Sequence, residues 1–215
     1  MSAHHWTFHW QDTAQVLAEQ DALHNLTLDV RRRSFVGAHV RVTPPLVLPI
    51  RPEIADLAAY LDKLPSAPQL HFTILLQAGA AALGVFDQGA ALATKSDKKY
   101  VVRGRGRAQP THLAGKGKSR YGSRLRLQNA RRLLDDVAAR LREWASEYGA
   151  PNEIFYSASD RIWTSLLAHD NPPPFTRADP LIKIPHDIPV PTTDVLLRTY
   201  RKLSYGRVEA TDPEG

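Results

Sequence analysis

Residues 95–132 read KSDKKYVVRGRGRAQPTHLAGKGKSRYGSRLRLQNARR. The stretch holds thirteen Lys or Arg and one acid, Asp97, for a formal charge of +12; the whole chain is +6, so everything outside it sums to −6. One basic tract on an otherwise mildly acidic chain is the electrostatic footprint of a nucleic-acid binder. The same stretch divides the chain by type of structure. Strand-like runs lead into it, and a long helical pattern leads out of it.

On its N-terminal side, His71–Gln77 (HFTILLQ) is a largely apolar run and Ala80–Phe86 follows after Gly79. Asp87-Gln88-Gly89 is a turn signal, Ala90–Thr94 continues as a short strand, and Lys98–Arg103 (KKYVVR) is the last strand before the basic segment. Connections this short imply an antiparallel meander. Gly104–Gly122 has five glycines and no hydrophobic periodicity, which reads as an exposed loop. Loops of that length in a compact domain tend to be functional.

On the C-terminal side, Leu127, Ala130, Leu134, Val137, Leu141 and Trp144 form an apolar stripe, so a helix is expected over Arg124–Tyr148 with Ser123 as its N-cap. Gly149-Ala150-Pro151 stops it. Then come strand Glu153–Ser157, helix Ser159–Leu167, strand Leu181–Ile184, a helix from Thr192 or Thr193 to Leu203, and strand Ser204–Glu209. Trp144 and Trp163 fall at apolar helix positions and read as core. The fold class is therefore α/β, with a mixed sheet made of an antiparallel meander followed by helix–strand units.

The first part of the chain is less patterned. A short helix is expected over Asp12–Leu23 with Val16, Leu17 and Leu23 on one side, then strands at Leu26–Val30 and Val36–Val42. A helix should begin near Pro52 and carry Ile54, Leu57, Ala58 and Leu61. His4, His5 and His9 invite a metal reading, but no further ligand has suitable spacing, and a mobile terminus is the commoner explanation. Arg31, Arg32 and Arg33 read as a solvated edge, with an extended phosphate-binding face as the alternative. The expected organisation is residues 1–65 as an N-terminal extension of unassigned function, 66–210 as the main α/β domain with its basic loop at 104–122, and 211–215 as a frayed tail.

The totals narrow the function. A 215-residue chain with 43% hydrophobic and 23% charged residues supports a real core. It has no cysteine, so disulfide and thiol chemistry are excluded. No apolar run reaches the ~18 residues of a membrane span, and the N-terminus lacks a secretory pattern. A cytoplasmic protein without a membrane partner is expected.

Within the tract, Arg103, Arg105, Arg107, Lys116, Lys118, Arg120, Arg124 and Arg126 have one neighbouring carboxylate in sequence, so solvent or phosphates must satisfy most of them. His112 and Tyr121 are interleaved among them. Gln109 is neutral and cannot act as a general base, but its amide can position a water or a ribose hydroxyl. Catalysis of that kind works by orientation and by stabilising developing charge. An ordinary loop glutamine is the plain alternative. His112 has the chemistry of an acid or base near neutral pH, though a hydrogen-bond donor to RNA is the commoner role. Asp87 and Asp97 follow strands, but both read as turn residues rather than Mg²⁺ ligands; no metal and no cofactor are expected.

The run Lys99-Tyr100-Val101-Val102-Arg103, then Gly106-Arg107-Ala108-Gln109, then Gly122, Leu125, Arg126 and Asn129, resembles the VLRF family. These are release-factor-like proteins related to the catalytic domain of the eukaryotic and archaeal peptide-chain release factor. The pattern is most similar to the actinobacterial type. The resemblance is strongest over Tyr100–Leu134, and the strand order from His71 to Glu209 supports it. It implies an RNase H-like α/β fold and a segment that enters the peptidyl-transferase centre of the large ribosomal subunit. It also implies cleavage of peptidyl-tRNA, with the family glutamine and glycine at Gln109 and Gly106 and ribosomal RNA as the surrounding partner. True release factors carry a second Gly directly before the glutamine, where Ala108 stands here. Ester hydrolysis and cleavage near the tRNA 3′ end therefore both stay open. The alternatives are a binding factor without chemistry at the tRNA site and a generic single-stranded nucleic-acid binder. The latter is disfavoured by the few aromatic rings in the tract.

Overall fold

The structure is a computed structural model and describes residues 5–99 and 118–211. It divides into two compact units: one of residues up to Gln69 with Asp87–Ala90 and Arg198 onward, the other of Leu70–Phe86 and Ala91–Leu197. Each has its own hydrophobic cluster.

The second unit carries the tract. Its sheet has strands β5 (His71–Gln77), β6 (Ala80–Asp87), β7 (Ala90–Lys98), β8 (Glu153–Ser157) and β9 (Leu181–Lys183), in the order β7-β6-β5-β8-β9. Strands β5 and β6 pair antiparallel from His71↔Phe86 to Gln77↔Ala80. Strand β8 lies parallel to β5, and β9 parallel to β8. This is the expected mixed sheet: a meander followed by parallel strands. The β6–β7 hairpin turns on Gln88 (φ 49°) and Gly89 (φ 80°), two left-handed residues that match the twist of the flanking strands. Strand β5 is buried at every position but the last, as suits a strand covered on both faces.

Helix α3 (Lys118–Tyr148) covers this sheet. Leu133, Val137, Ala138, Leu141 and Trp144 enter the core with Phe72, Ile74 and Leu83. Val137, Leu141 and Trp144 are buried as the stripe predicts; toward its start Leu133 is buried with Leu134 only partly so, and Leu127 is 74% exposed. Helix α4 (Asp160–Leu167) is capped by Ser159, whose Oγ accepts the Ile162 amide hydrogen at 3.4 Å. It brings in Trp163, which stacks on Tyr156 at 4.1 Å between centroids. Helix α5 (Thr193–Leu203) is capped by Thr192, whose Oγ1 accepts from Val195 N at 3.2 Å.

The first unit holds a second, wholly antiparallel sheet of β1 (His5–His9), β10 (Tyr205–Ala210), β4 (Val40–Thr43), β3 (Ser34–Val36) and β2 (Thr27–Asp29), in that order. Several local expectations change here. The single strand expected over Val36–Val42 is two strands, because Gly37 N bonds Val40 O at 2.9 Å and reverses the chain. The helix expected near Pro52 begins later, as α2 (Leu57–Asp62), where Asp56 accepts the Ala59 amide hydrogen at 2.8 Å. His5 and His9 belong to an edge strand, and the last strand sits between β1 and β4 rather than in the larger sheet. Gly206 faces Phe8 across β1, and a Cβ there would overlap the Phe8 ring.

Helix α1 (Thr13–His24) buries Val16 and Leu17 but leaves Leu23 exposed, and ends on left-handed Asn25. The four-residue turn from Val30 to Arg33 joins β2 to β3, and Arg33 closes it with φ 49°.

Tyr60 is buried among these elements, and its hydroxyl donates to the Leu48 carbonyl at 2.7 Å. Burial pushes its phenol well above the ordinary value of 10. The unfolded chain therefore ionises first. The tyrosine's contribution is complete below pH 10 and is lost as pH climbs from there through the raised folded value. Tyr60→Phe should abolish this alkaline loss in a pH series of denaturant melts. At neutral pH it should cost about 1–3 kcal/mol, for the buried Leu48 carbonyl left without its donor.

Candidate nucleic-acid interface

Two hairpin steps make β7 run in the same direction as β5, and β8 is parallel to β5. The chain therefore leaves β7 at the carboxyl edge of the sheet, and α3 returns it to the start of β8. The basic tract joins β7 to α3, so both of its flanks lie at that edge. Carboxyl edges of open α/β sheets are where ligands commonly bind.

The first flank is well fixed. Lys99 N donates to Gly79 O at 2.8 Å, and Lys99 Nζ meets Asp136 of α3 at 2.8 Å. That pair ties the end of β7 to the helix it feeds. Sequence reading missed it, because Asp136 is 37 residues away and reads as an exposed helix acid. The carboxylate of Asp136 holds the Lys99 ammonium above its usual 10.5, through the hydrogen bond first and the charge second.

The second flank corrects an expectation. The helix begins at Lys118, not Arg124. Lys118, Arg120, Tyr121, Gly122 and Ser123 are thus helical rather than loop or cap residues, and Arg124 and Arg126 are helical as expected. The run KSRYGSRLR lacks apolar periodicity, which hid the helix, yet Lys and Arg are good helix formers and one Gly costs only about 1 kcal/mol. These nine residues hold four cations and no acid. Positive charge at a helix N-terminus opposes the macrodipole, and a bound anion there reverses the sign of that interaction. Asn129 is half-buried one turn further on.

Gln109, Gly106, Arg103, Arg105, Arg107, His112 and Lys116 lie outside the described residues, as does most of the loop expected at 104–122. The strand expected over Lys98–Arg103 is in its described part the end of β7, which runs unbroken from Ala90.

Three of the described cations of the tract face carboxylates, Lys99 that of Asp136 among them. Lys95 faces Asp97 at 4.0 Å, and Arg131 pairs with Asp170. Beyond the tract, Arg142 donates to the carbonyls of Asn171 and Pro172 at 2.6 and 2.8 Å. The middle of α3 thus uses its arginines to hold the 170–172 segment, while the charge-only region is its first nine residues.

Asp87 ends β6 at the hairpin, and Asp97 lies seven residues along β7 from the hairpin's first residue, about 23 Å at strand rise. His4 lies outside the described residues, and His9 Nδ1 is engaged with Gln11 Oε1 at 3.1 Å. Among the described residues no three His, Cys, Asp or Glu side chains gather as a metal site. No described helix is long and apolar enough to cross a membrane.

A cleft of about 520 Å³ opens at the same carboxyl edge, lined by Gln77, Ser157, Ser159, Lys183 and Asp187 among others. Gln77 is held there by its Nε2, which donates to Ile188 O at 2.7 Å.

The larger unit is thus an α/β fold in which the basic tract joins an edge strand to the N-terminus of a long helix. The chain belongs to the family described as bVLRF1, Bacteroidetes VLRF1 release factor, which matches residues 71–211. The family expected from the Lys99–Asn129 motifs is thereby shown; the matching description is of the Bacteroidetes type, where the motifs suggested the actinobacterial one. Among solved structures, the chain is similar to the "Vms1 mitochondrial localization core", with a TM-score of 0.53 and 13% identity over 92% of this chain and 84% of that one. Among curated proteins no sequence matches.

The Lys99–Asp136 pair is testable by itself. NMR titration of the Lys99 Nζ group should give a value above 10.5 in the wild-type chain. It should fall back toward 10.5 in Asp136→Asn. By linkage, the pair's contribution is complete below pH 10.5 and is lost above it.

Proposed function

We propose that this chain is a ribosome-directed release-factor-like protein that acts on peptidyl-tRNA held by the large subunit. Family membership over residues 71–211 supports the release-factor part of this reading. The observation that supports the rest is the position of the tract's two flanks: Lys99 and the N-terminus of α3 both lie at the carboxyl edge of the sheet. The strand order β7-β6-β5-β8-β9, with β6 alone running against the other four, supports an RNase H-like body.

In this reading the cations of the tract hold ribosomal RNA and tRNA phosphates. Gly106 lets the main chain approach the RNA closely. The Gln109 amide accepts a hydrogen bond from the attacking water and orients it on the ester carbonyl that links the nascent chain to tRNA. The ester C–O bond then breaks and the ribose oxygen takes the proton. Because Gln109 is uncharged, its contribution is positional. The second reading is a phosphodiester cut near the tRNA 3′ end, favoured by Ala108 in place of a glycine before Gln109. The protein is placed in the cytoplasm with the ribosomes it serves.

The test uses labelled peptidyl-tRNA on isolated large subunits with wild type and Gln109→Ala. Release should fall by two or more orders of magnitude in the variant while cosedimentation with subunits is unchanged. Intact tRNA as product identifies ester hydrolysis; a tRNA lacking its terminal nucleotides identifies the endonuclease. Equal release by the variant removes Gln109 from the chemistry, and binding without any release by wild type leaves a non-catalytic binding factor.

A further inference from the structure

The first unit has its own concentration of positive charge. The turn Val30–Arg33 carries three successive arginines, all exposed. Outside that turn the residues of this unit hold seven Lys or Arg against eleven Asp or Glu, so the turn is a cationic tip on an acidic body.

The turn is also built against local preference. Its last residue, Arg33, takes φ 49°. That left-handed conformation is normally given to Gly, Asn or Asp, because a Cβ there crowds the following carbonyl. An exposed turn designed for stability alone would place one of those residues there. Non-glycine residues held at positive φ tend to mark functional positions.

The tip is preorganised. Asp29 Oδ1 accepts the Arg32 amide hydrogen at 3.1 Å, and its Oδ2 is engaged by Arg41 Nη1 at 3.3 Å. The nearest acid is therefore occupied by the backbone and by a different arginine. Among the described residues, no ion pair joins the guanidinium groups of Arg31, Arg32 or Arg33 to a carboxylate. A cleft of about 610 Å³ adjoins the tip, lined by Thr27, Asp29, Arg32, Gly37, Arg41 and Thr211 among others. Its volume falls in the range of small-molecule sites and exceeds the needs of one nucleotide.

From these observations we infer that the Val30–Arg33 turn is a second RNA-binding element, in which Arg31, Arg32 and Arg33 grip the phosphodiester backbone and the adjoining cleft receives one nucleotide. Three guanidiniums on a fixed turn suit successive phosphates, which arginine recognises through paired N–H donors. The inference rests on the ribosome-directed reading for its natural partner, but it is read on RNA itself. A protein that grips RNA at two separate places gains affinity because the second grip is intramolecular.

The experiment measures binding of the full chain to polyuridylate and to isolated large subunits across a salt series. It compares wild type, Arg31→Ala/Arg32→Ala/Arg33→Ala, and the single Arg33→Asn. The triple variant should bind polyuridylate at least tenfold more weakly at 0.1 M salt. Its log–log salt slope should be shallower by about two, at roughly 0.7 for each phosphate no longer neutralised. Arg33→Asn should weaken RNA binding several-fold while its Tm equals or exceeds that of wild type, since asparagine accepts left-handed backbone. A folding defect would move both quantities down together. Unchanged RNA affinity and slope in the triple variant overturn the inference, whatever it does to acidic proteins or lipid vesicles. If wild type binds RNA through the turn but does not bind subunits, the turn assignment stands and the ribosome-directed reading fails.

Discussion

The parallel pairing of β5 with β8 is the constraint on which the larger sheet depends. It joins residues 82 apart in sequence, from His71↔Glu153 to Leu75↔Ser157. At its foot, His71 Nε2 and Glu153 Oε2 meet at 3.0 Å, both buried. A buried polar pair contributes little net stability, because desolvation offsets most of the attraction, but losing either partner leaves a costly orphan. Its clearest consequence is register. A slip of one residue would separate the pair and turn the apolar residues of β8 to the wrong faces. With β8 fixed, α3 has one course across the sheet, and the start of that course is where the tract is delivered.

The two ends of α3 are under different physical demands. From Leu133 to Trp144 its buried face is set by packing on β5 and β6. Before that, residues 118–126 hold four cations and no acid where the helix dipole is also positive. Leu127, largely exposed, marks the change from one regime to the other. The same opposition between local preference and retained charge appears at Arg33. The two proposals answer that opposition in both places with an external anion.

Much of this was legible in the residues. His71–Gln77 and Glu153–Ser157 are strands at the expected bounds, because apolar runs bracketed by turn residues are local signals. The meander followed by parallel strands was equally clear from the order of elements. The smaller sheet was not, since β1 and β10 recognise each other across nearly the whole chain and neither has a strong pattern of its own. The start of α3 was hidden because helix propensity without an apolar stripe resembles a loop. For the site, charge density and the Gly106–Gln109 motif pointed to the tract, whereas the Lys99–Asp136 tether depends on tertiary placement that no spacing rule conveys.

The place of β10 carries a consequence for biosynthesis. Val42 of β4 pairs with Val208, so the smaller sheet lacks the strand that joins β1 to β4 until residue 208 has been made. At 5–20 residues per second that wait is on the order of ten to thirty seconds. During it, β4 and β1 present unsatisfied edges on the nascent polypeptide, and Phe8 has no Gly206 to cover it. The larger sheet, contiguous from His71 to Lys183 apart from its helices, is free to form first and tether the rest. In a newly made molecule the smaller sheet thus closes only after β10 has been made.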